Sequence, residues 1–279
     1  MERKNFVIFS DLDGTLLDHE TFSFERARDA LIALERADVP LVFCTSKTRQ
    51  ETEYWRERTG NRHPFIVENG GAIYIPYNYF PFEIRDASFR DGYYLIELGE
   101  RHDRLRQFLL SFRENIDSTI RGFGDMSLEE IIALSGLSPE MAALARQREY
   151  DEPFTGGNQK SHRRLRKEAE KFGLKILGGS RFYHLTGKSD KGTALQRVKR
   201  LYTQHLGEVQ TVALGDSQND EAMLASADLA YLVQGSDGSY DSRVRLSQLV
   251  YAQGIGPAGW SQAILDLLRQ GRCNLFEKW

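Results

Sequence analysis

Two aspartates two positions apart, Asp11 and Asp13 in SDLDGTLLD, stand where the apolar run NFVIF gives way to a glycine. Carboxylates that close repel, so the pair needs a cation or a shared proton. A second acidic group, Asp216 and Asp220 with Asn219 between them in GDSQND, follows the apolar run TVALG, and Thr45 and Ser46 follow PLVFC. Carboxylates converging from separate segments make a hard oxygen site, the kind that suits Mg²⁺ with some of its waters retained. Each motif alone has a plainer reading. Asp-x-Asp-Gly serves as a turn, and GDSQND can begin a helix whose dipole favours carboxylates. An EF-hand loop fails on spacing, because it needs glycine at its sixth position and glutamate at its twelfth, where counting from Asp11 gives Leu16 and Phe22. Both acidic motifs directly after apolar runs argue for chemistry.

The elements that must position these residues follow from periodicity. NFVIF, a stretch with helix-spaced Ala and Leu (TFSFERARDALIALERADV), and PLVFC read as strand, helix, strand. After a polar helix from about Lys47 to Thr59, PFIVENGGAIYI reads as a strand, a turn and a return strand. Strands separated by helices imply a parallel α/β sheet with right-handed crossovers, and such sheets bind ligands beyond the carboxyl ends of their strands. The rhythm then changes to an α+β pattern and returns from Lys191, where GTALQRVKRLYTQHLG, TVALGD, NDEAMLASA and LAYLV alternate helix and strand. The expected organisation is a sheet domain of residues 1–83 plus 188–279, interrupted by an insert over residues 84–187.

Composition narrows the function classes. The chain has 279 residues with a formal net charge of −3, 41% hydrophobic and 28% charged, ordinary for a folded protein and without general attraction to nucleic acid or anionic membranes. Cys44 and Cys273 are far apart, with no second cysteine near either, which fits a reducing compartment. No run approaches the roughly 20 apolar residues that cross a bilayer, so a cytoplasmic protein is expected, with no membrane or nucleic-acid partner and an open oligomeric state.

These motifs resemble the haloacid dehalogenase (HAD) superfamily of phosphohydrolases in order and strand placement across the chain: DLDGT at Asp11–Thr15, Thr45, Lys191 in KSDKG, and GDSQND. The resemblance implies a HAD-like Rossmannoid core with a C2B-type cap as the insert. More narrowly, TSKTRQE, ENGGAI, REYDEPF and GGSRFYHLTGKSDKG resemble the mannosyl-3-phosphoglycerate phosphatases. By that resemblance Asp11 is the nucleophile that forms an aspartyl phosphate, and Asp13 is the acid/base. Thr45 and Lys191 hold the phosphoryl group. Mg²⁺ is held by Asp11, Asp13 through its backbone carbonyl, and Asp216, with Asp220 either a ligand or a partner behind the ligands. Ser46, Lys47, Asn69 and Asn219 are placed at the substrate.

Substrate choice falls to the insert, since the core residues cannot distinguish one leaving alcohol from another. Arg181 could pair with the carboxylate of a sugar acid, and Asp151 and Glu152 could accept hydrogen bonds from sugar hydroxyls. For His184, a structural role and a substrate contact both stand open. Lys47 and Arg49 read first as solvated cations at a helix start, with reach to an anionic substrate as the alternative. HRRLRKEAEK reads as a solvated helix with an apolar stripe, and Cys44 as a core thiol. The expected function is Mg²⁺-dependent hydrolysis of a small phosphorylated sugar acid, mannosyl-3-phosphoglycerate first, with glucosyl-3-phosphoglycerate or a sucrose-phosphate-like ester as rivals. A phosphomutase and a non-catalytic phosphate-binding protein are the remaining alternatives.

Overall fold

The structure is a computed structural model that describes residues 5–178 and 182–269. The first part of the chain runs β1 (Asn5–Ser10), α1 (Arg28–Arg36), β2 (Leu41–Cys44), α2 (Arg49–Thr59), β3 (Phe65–Val67), β4 (Ala72–Pro76), β5 (Ser88–Arg90) and β6 (Tyr93–Glu97). Next come α3 (His102–Asn115), β7 (Arg121–Gly122), α4 (Leu128–Ser135), α5 (Pro139–Ala145), β8 (Asp151–Thr155), α6 (Gln159–Lys171), β9 (Lys175–Gly178) and β10 (Tyr183–Thr186). The chain closes with α7 (Lys191–Leu206), β11 (Val209–Gly215), α8 (Glu221–Ser226), β12 (Leu229–Gln234), β13 (Val250–Ile255) and α9 (Pro257–Arg269).

The large sheet has the order β13-β12-β11-β1-β2-β3-β4-β6-β5. It is parallel from β13 to β3 and antiparallel beyond. Side chains of a strand alternate between faces, so β1 sends Phe6 and Ile8 into one core with α1 and α9, and Val7 and Phe9 into the other with α7 and α8. Burial on both faces is why the stretch from Phe6 to Phe9 is apolar throughout. The insert has its own four-stranded antiparallel sheet, β7-β8-β10-β9. Leu105, Leu109 and Phe112 of α3 and Leu165 and Ala169 of α6 pack on it.

One expected boundary is corrected. Residues 88–97, assigned to the insert by the sequence, form a hairpin that pairs antiparallel with β4, Tyr94 opposite Ile75. Leu95 and Ile96, each 3% exposed, drop into the two cores of the large sheet. Sheet pairing therefore keeps the chain in the core as far as Glu97, not residue 83. Among the described residues no helix is long and apolar enough to cross a membrane.

Register sets the site. Ser10 lies opposite both Leu214 and Phe43, so Asp11, Thr45 and Asp216 leave neighbouring strands at one edge. That edge is the topological switch point, where the chain proceeds to β2 on one side of β1 and to β11 on the other. Trp260 of α9 is fully buried beneath it and donates Nε1–H to Ser10 Oγ at 2.9 Å.

The turn between β3 and β4 passes close against the start of α7. Gly70 has φ +89°, and a Cβ there would lie 2.2 Å from the Asp190 carbonyl oxygen and 2.8 Å from the Lys191 nitrogen. Gly60, which ends α2 at φ +70°, has open space around the same position. Gly60→Ala should therefore cost only the left-handed backbone penalty, about 1 to 2 kcal/mol. Gly70→Ala should cost more than ~3 kcal/mol and impair turnover by displacing Lys191. Thermal unfolding of the two variants measures the difference, and equal losses would show that the contact with Asp190 is unimportant.

Candidate active site

At the strand-end edge Lys191 is the central group. It opens α7 behind an Asp190 N-cap, is 1% exposed, and donates from Nζ to Asp11 Oδ1 at 2.7 Å and to Asp220 Oδ1 at 2.6 Å. Burial alone would lower the ammonium, yet the two carboxylates raise it above the usual lysine range. The other Asp220 oxygen accepts the backbone N–H groups of Asp216 and Ser217 at 3.1 and 3.2 Å. Thr15 Oγ1 donates to Asp216 Oδ1 at 3.3 Å.

Asp11, Asp216 and Asp220 offer carboxylate oxygens that all lie within 4.8 Å of one another. Burial first, then the charge of Asp220, pushes Asp11 up to about 7 against the pull of Lys191. Asp216 is raised well above the carboxylate range, by burial and then by Asp220 and Asp11. Such a set is under-neutralised by one lysine. Its donors are all oxygen, which fits a small hard divalent cation.

Asp13 points its Oδ2 to Lys47 Nζ at 2.9 Å, while its Oδ1 is buried without a hydrogen-bond partner among the described residues. Lys47 is not the solvated cation that its place before a helix suggests. It is 3% exposed, lies 3.6 Å from Glu51 and packs over the Phe22 ring. Burial tends to lower it, but Asp13 and Glu51 raise it above the ordinary value. Glu51 is buried because it closes a capping box with Thr48 at the start of α2. Arg49 is likewise held, by Asp91 at 2.6 Å and Glu53 at 3.2 Å.

A cleft opens over Asp11 and Asp13. Its core side carries His19, Phe22, Ser46, Lys47, Glu51, Ser217 and Asn219, and its insert side Phe123, Ser135, Leu137, Ala145, Arg148, Pro153, Phe182 and His184. Thr45 is wholly buried and accepts the Lys47 N–H on its Oγ1 at 3.2 Å. A chain of side chains crosses from core to insert. Ser217 Oγ donates to Asn219 Oδ1 at 2.6 Å, Asn219 Nδ2 donates to Asn69 Oδ1 at 3.3 Å, and Asn69 Nδ2 donates to Asp151 Oδ2 at 2.6 Å. Asp151 in turn lies 3.0 Å from His184 Nδ1. Burial would raise Asp151, but His184 and then Arg148 hold it below the usual carboxylate range.

The structure thus brings Asp11, Asp13, Ser46, Lys47, His184 and Asn219 to the cleft, with Lys191, Asp216, Asp220 and Thr45 at or beneath its floor. Asp151 stands behind His184 and does not line the cleft. Glu152 points into the insert, where it meets His102 Nε2 at 2.5 Å and the Gly124 N–H at 3.0 Å, so the expected role as a hydroxyl acceptor finds no geometric basis. Arg181 lies outside the described residues. Sequence reasoning missed Glu51 and Arg148 as cleft residues, although both fall in stretches, TSKTRQE and REYDEPF, that stood out.

Residues 8–120 match the family of haloacid dehalogenase-like hydrolases. The chain is 43% identical over 263 residues to a glucosyl-3-phosphoglycerate/mannosyl-3-phosphoglycerate phosphatase of Methanococcoides burtonii, covering 94% of this chain and 97% of that one. It is 38% identical over 227 residues to a mannosyl-3-phosphoglycerate phosphatase of Pyrococcus furiosus, covering 81% and 90%. In fold it is similar to the sucrose-phosphatase of a Synechocystis species solved with sucrose and phosphate, with TM-score 0.59 at 17% identity over 94% of this chain and 98% of that one. With these likenesses and the acidic floor around Lys191, the chain belongs to the haloacid dehalogenase-like hydrolases and is a phosphoric monoester hydrolase, similar to the mannosyl-3-phosphoglycerate phosphatases.

Proposed function

We propose that the protein hydrolyses mannosyl-3-phosphoglycerate, and its glucosyl counterpart, to the glycosylglycerate and inorganic phosphate. The observation that carries this reading is the 43% identity over 94% of the chain to a phosphatase named for both esters. A match of that extent includes the insert, whose residues form one wall of the cleft.

Asp11 attacks phosphorus in line and releases the alcohol, and water then hydrolyses the aspartyl phosphate, so one hard displacement becomes two easier ones. Asp13 protonates the departing alkoxide and later takes the proton of the attacking water; its pairing with Lys47 at 2.9 Å fixes the orientation of the carboxyl. Lys191 supplies fixed positive charge beside the nucleophile, and Thr45 hydrogen-bonds the phosphoryl group. The oxygen cluster fits Mg²⁺, which Asp11, Asp216 and the Asp13 carbonyl would hold. Asp220, both of whose oxygens are engaged by Lys191 and backbone amides, orients those ligands. A Mg²⁺ ion there would neutralise charge between the nucleophile and the phosphoryl oxygens.

The two opening aspartates should separate on substitution. Asp11→Asn removes the nucleophile and should abolish phosphate release, while Asp13→Asn should lower kcat by about 100- to 10,000-fold and leave Mg²⁺ affinity better preserved. Phosphate-release assays with calorimetric Mg²⁺ titration test both. Normal turnover by Asp11→Asn would overturn the covalent route.

Metal and pH should be linked through the same carboxyls. Asp11 is raised from 3.8 to about 7 and Asp216 in the same direction. Between those values the metal-free folded protein keeps protons that the unfolded chain has released, so these groups subtract stability as pH rises through the window. His63, lowered by burial to about 4, works in the opposite sense, and comparing the protein with and without metal cancels it. A cation needs the carboxylates ionised, so the rise in Tm on adding Mg²⁺ should be larger near pH 8 than near pH 5. Scanning calorimetry measures it. The same Tm rise at both pH values would break the link, and full activity after exhaustive chelation would remove the metal from the reaction.

A further inference from the structure

Among the described residues that line the cleft, the permanent cations are Lys47 and Arg148. Lys47 is taken up by Asp13 at 2.9 Å and Glu51 at 3.6 Å. Arg148 is held differently. Its Nε donates to the Ala145 carbonyl at 2.8 Å, its Nη1 donates to the Ser46 carbonyl at 2.6 Å, and its guanidinium packs over the Phe123 ring. The nearest carboxylate, Glu51, is 3.9 Å from Nη2, beyond hydrogen-bonding distance. Two backbone carbonyls thus fix the plane of a side chain that is only 6% exposed, while Nη2 makes no hydrogen bond among the described residues.

A desolvated, oriented guanidinium with unused donors facing a cleft is a receptor for a planar anion. The phosphoryl group is accounted for at the floor by Lys191 and Thr45. The proposed substrate has one other anion, the carboxylate of its glycerate. We infer that Arg148 is the specificity-determining residue that binds this carboxylate, through Nη2 and the remaining Nη1 hydrogen; the inference rests on the substrate reading above. Arg148 comes from the insert, and its bond to the Ser46 carbonyl ties it to the residue next to Thr45. Carboxylate recognition on the wall is thereby set at a fixed distance from the phosphoryl position, which selects for the length of the substrate between its two anions.

The test is a cycle of two substrates and two proteins. Steady-state kcat/KM is measured for mannosyl-3-phosphoglycerate and for its carboxamide, which keeps the phosphate ester and the sugar ring but loses the negative charge of the carboxylate. The wild-type protein should prefer the acid on the order of 10- to 100-fold, the range of a charge-assisted hydrogen bond. In Arg148→Gln this preference should fall to within about threefold of unity, with the change mainly in KM. Because Arg148 also supports the Ser46 loop, overall activity falls too, and the ratio between substrates isolates recognition from that loss. If the glutamine variant does not fold, Arg148→Lys, which keeps charge without the planar fork, should show an intermediate ratio. A wild-type ratio retained in either folded variant, or no discrimination by the wild-type protein, would overturn the assignment. Release of phosphate from p-nitrophenyl phosphate but from neither glycosyl-phosphoglycerate would instead overturn the substrate reading itself.

Discussion

A lysine ammonium lodged between Asp11 and Asp220, at 2.7 and 2.6 Å, is the contact on which the rest of the site depends. Three carboxylates crowded at the buried end of a sheet would repel one another and the β1–β11 edge with them. Lys191 offsets part of that repulsion, and its position at the first turn of α7 requires the helix to enter just beyond the strand ends. Other features serve the same placement. Gly70 lets the β3–β4 turn pass against the backbone of Asp190 and Lys191, and the Trp260–Ser10 hydrogen bond braces β1 from the opposite core. The charge that remains after Lys191 is what a divalent cation at this all-oxygen cluster would offset.

The join between core and insert is built from backbone that few residues adopt. Glu68 and Asn69 both have positive φ, 48° and 56°, and their side chains reach across to the segment that leads into β8. Glu68 accepts the N–H groups of Glu149 and Tyr150, at 3.1 and 2.8 Å, and burial raises its carboxyl to about 8. Asn69 bonds Asp151 and receives Asn219. One turn of the core therefore touches both the loop that carries Asp216 and the strand that backs His184, so the wall of the cleft and its floor are set by common contacts. Buried polar groups joined in this way hold position only when every member is satisfied, which favours a single arrangement of insert over core.

The floor of the site was legible from sequence because its signals are local. An apolar run long enough for a strand, ending in Asp-x-Asp-Gly or Gly-Asp, states both the element and the chemistry at its end, and parallel pairing then sets the ends side by side. The alternation of strands and helices likewise pointed to the α/β core and to the change of pattern in the insert. The hairpin of β5 and β6 was harder to place, since a strand-like run such as YYLIEL does not say which sheet it joins. The last strand and helix, β13 and α9, escaped the periodicity reading, although the buried Trp260 shows α9 to be part of the core.

The sequence by itself determined which residue types meet at the strand ends, because strand period and turn chemistry act within a few residues. Only the tertiary structure decided which way side chains outside those strand ends face. Lys47 looked exposed and is buried against Asp13 and Glu51, Glu152 looked available and is consumed by His102 and Gly124, and Arg148, hidden in a charged stretch, presents its guanidinium to the cleft. The physical reason is that the burial and pairing of a charge depend on partners tens of residues away, brought close by the docking of insert on core, and no local pattern of residues records where those partners lie.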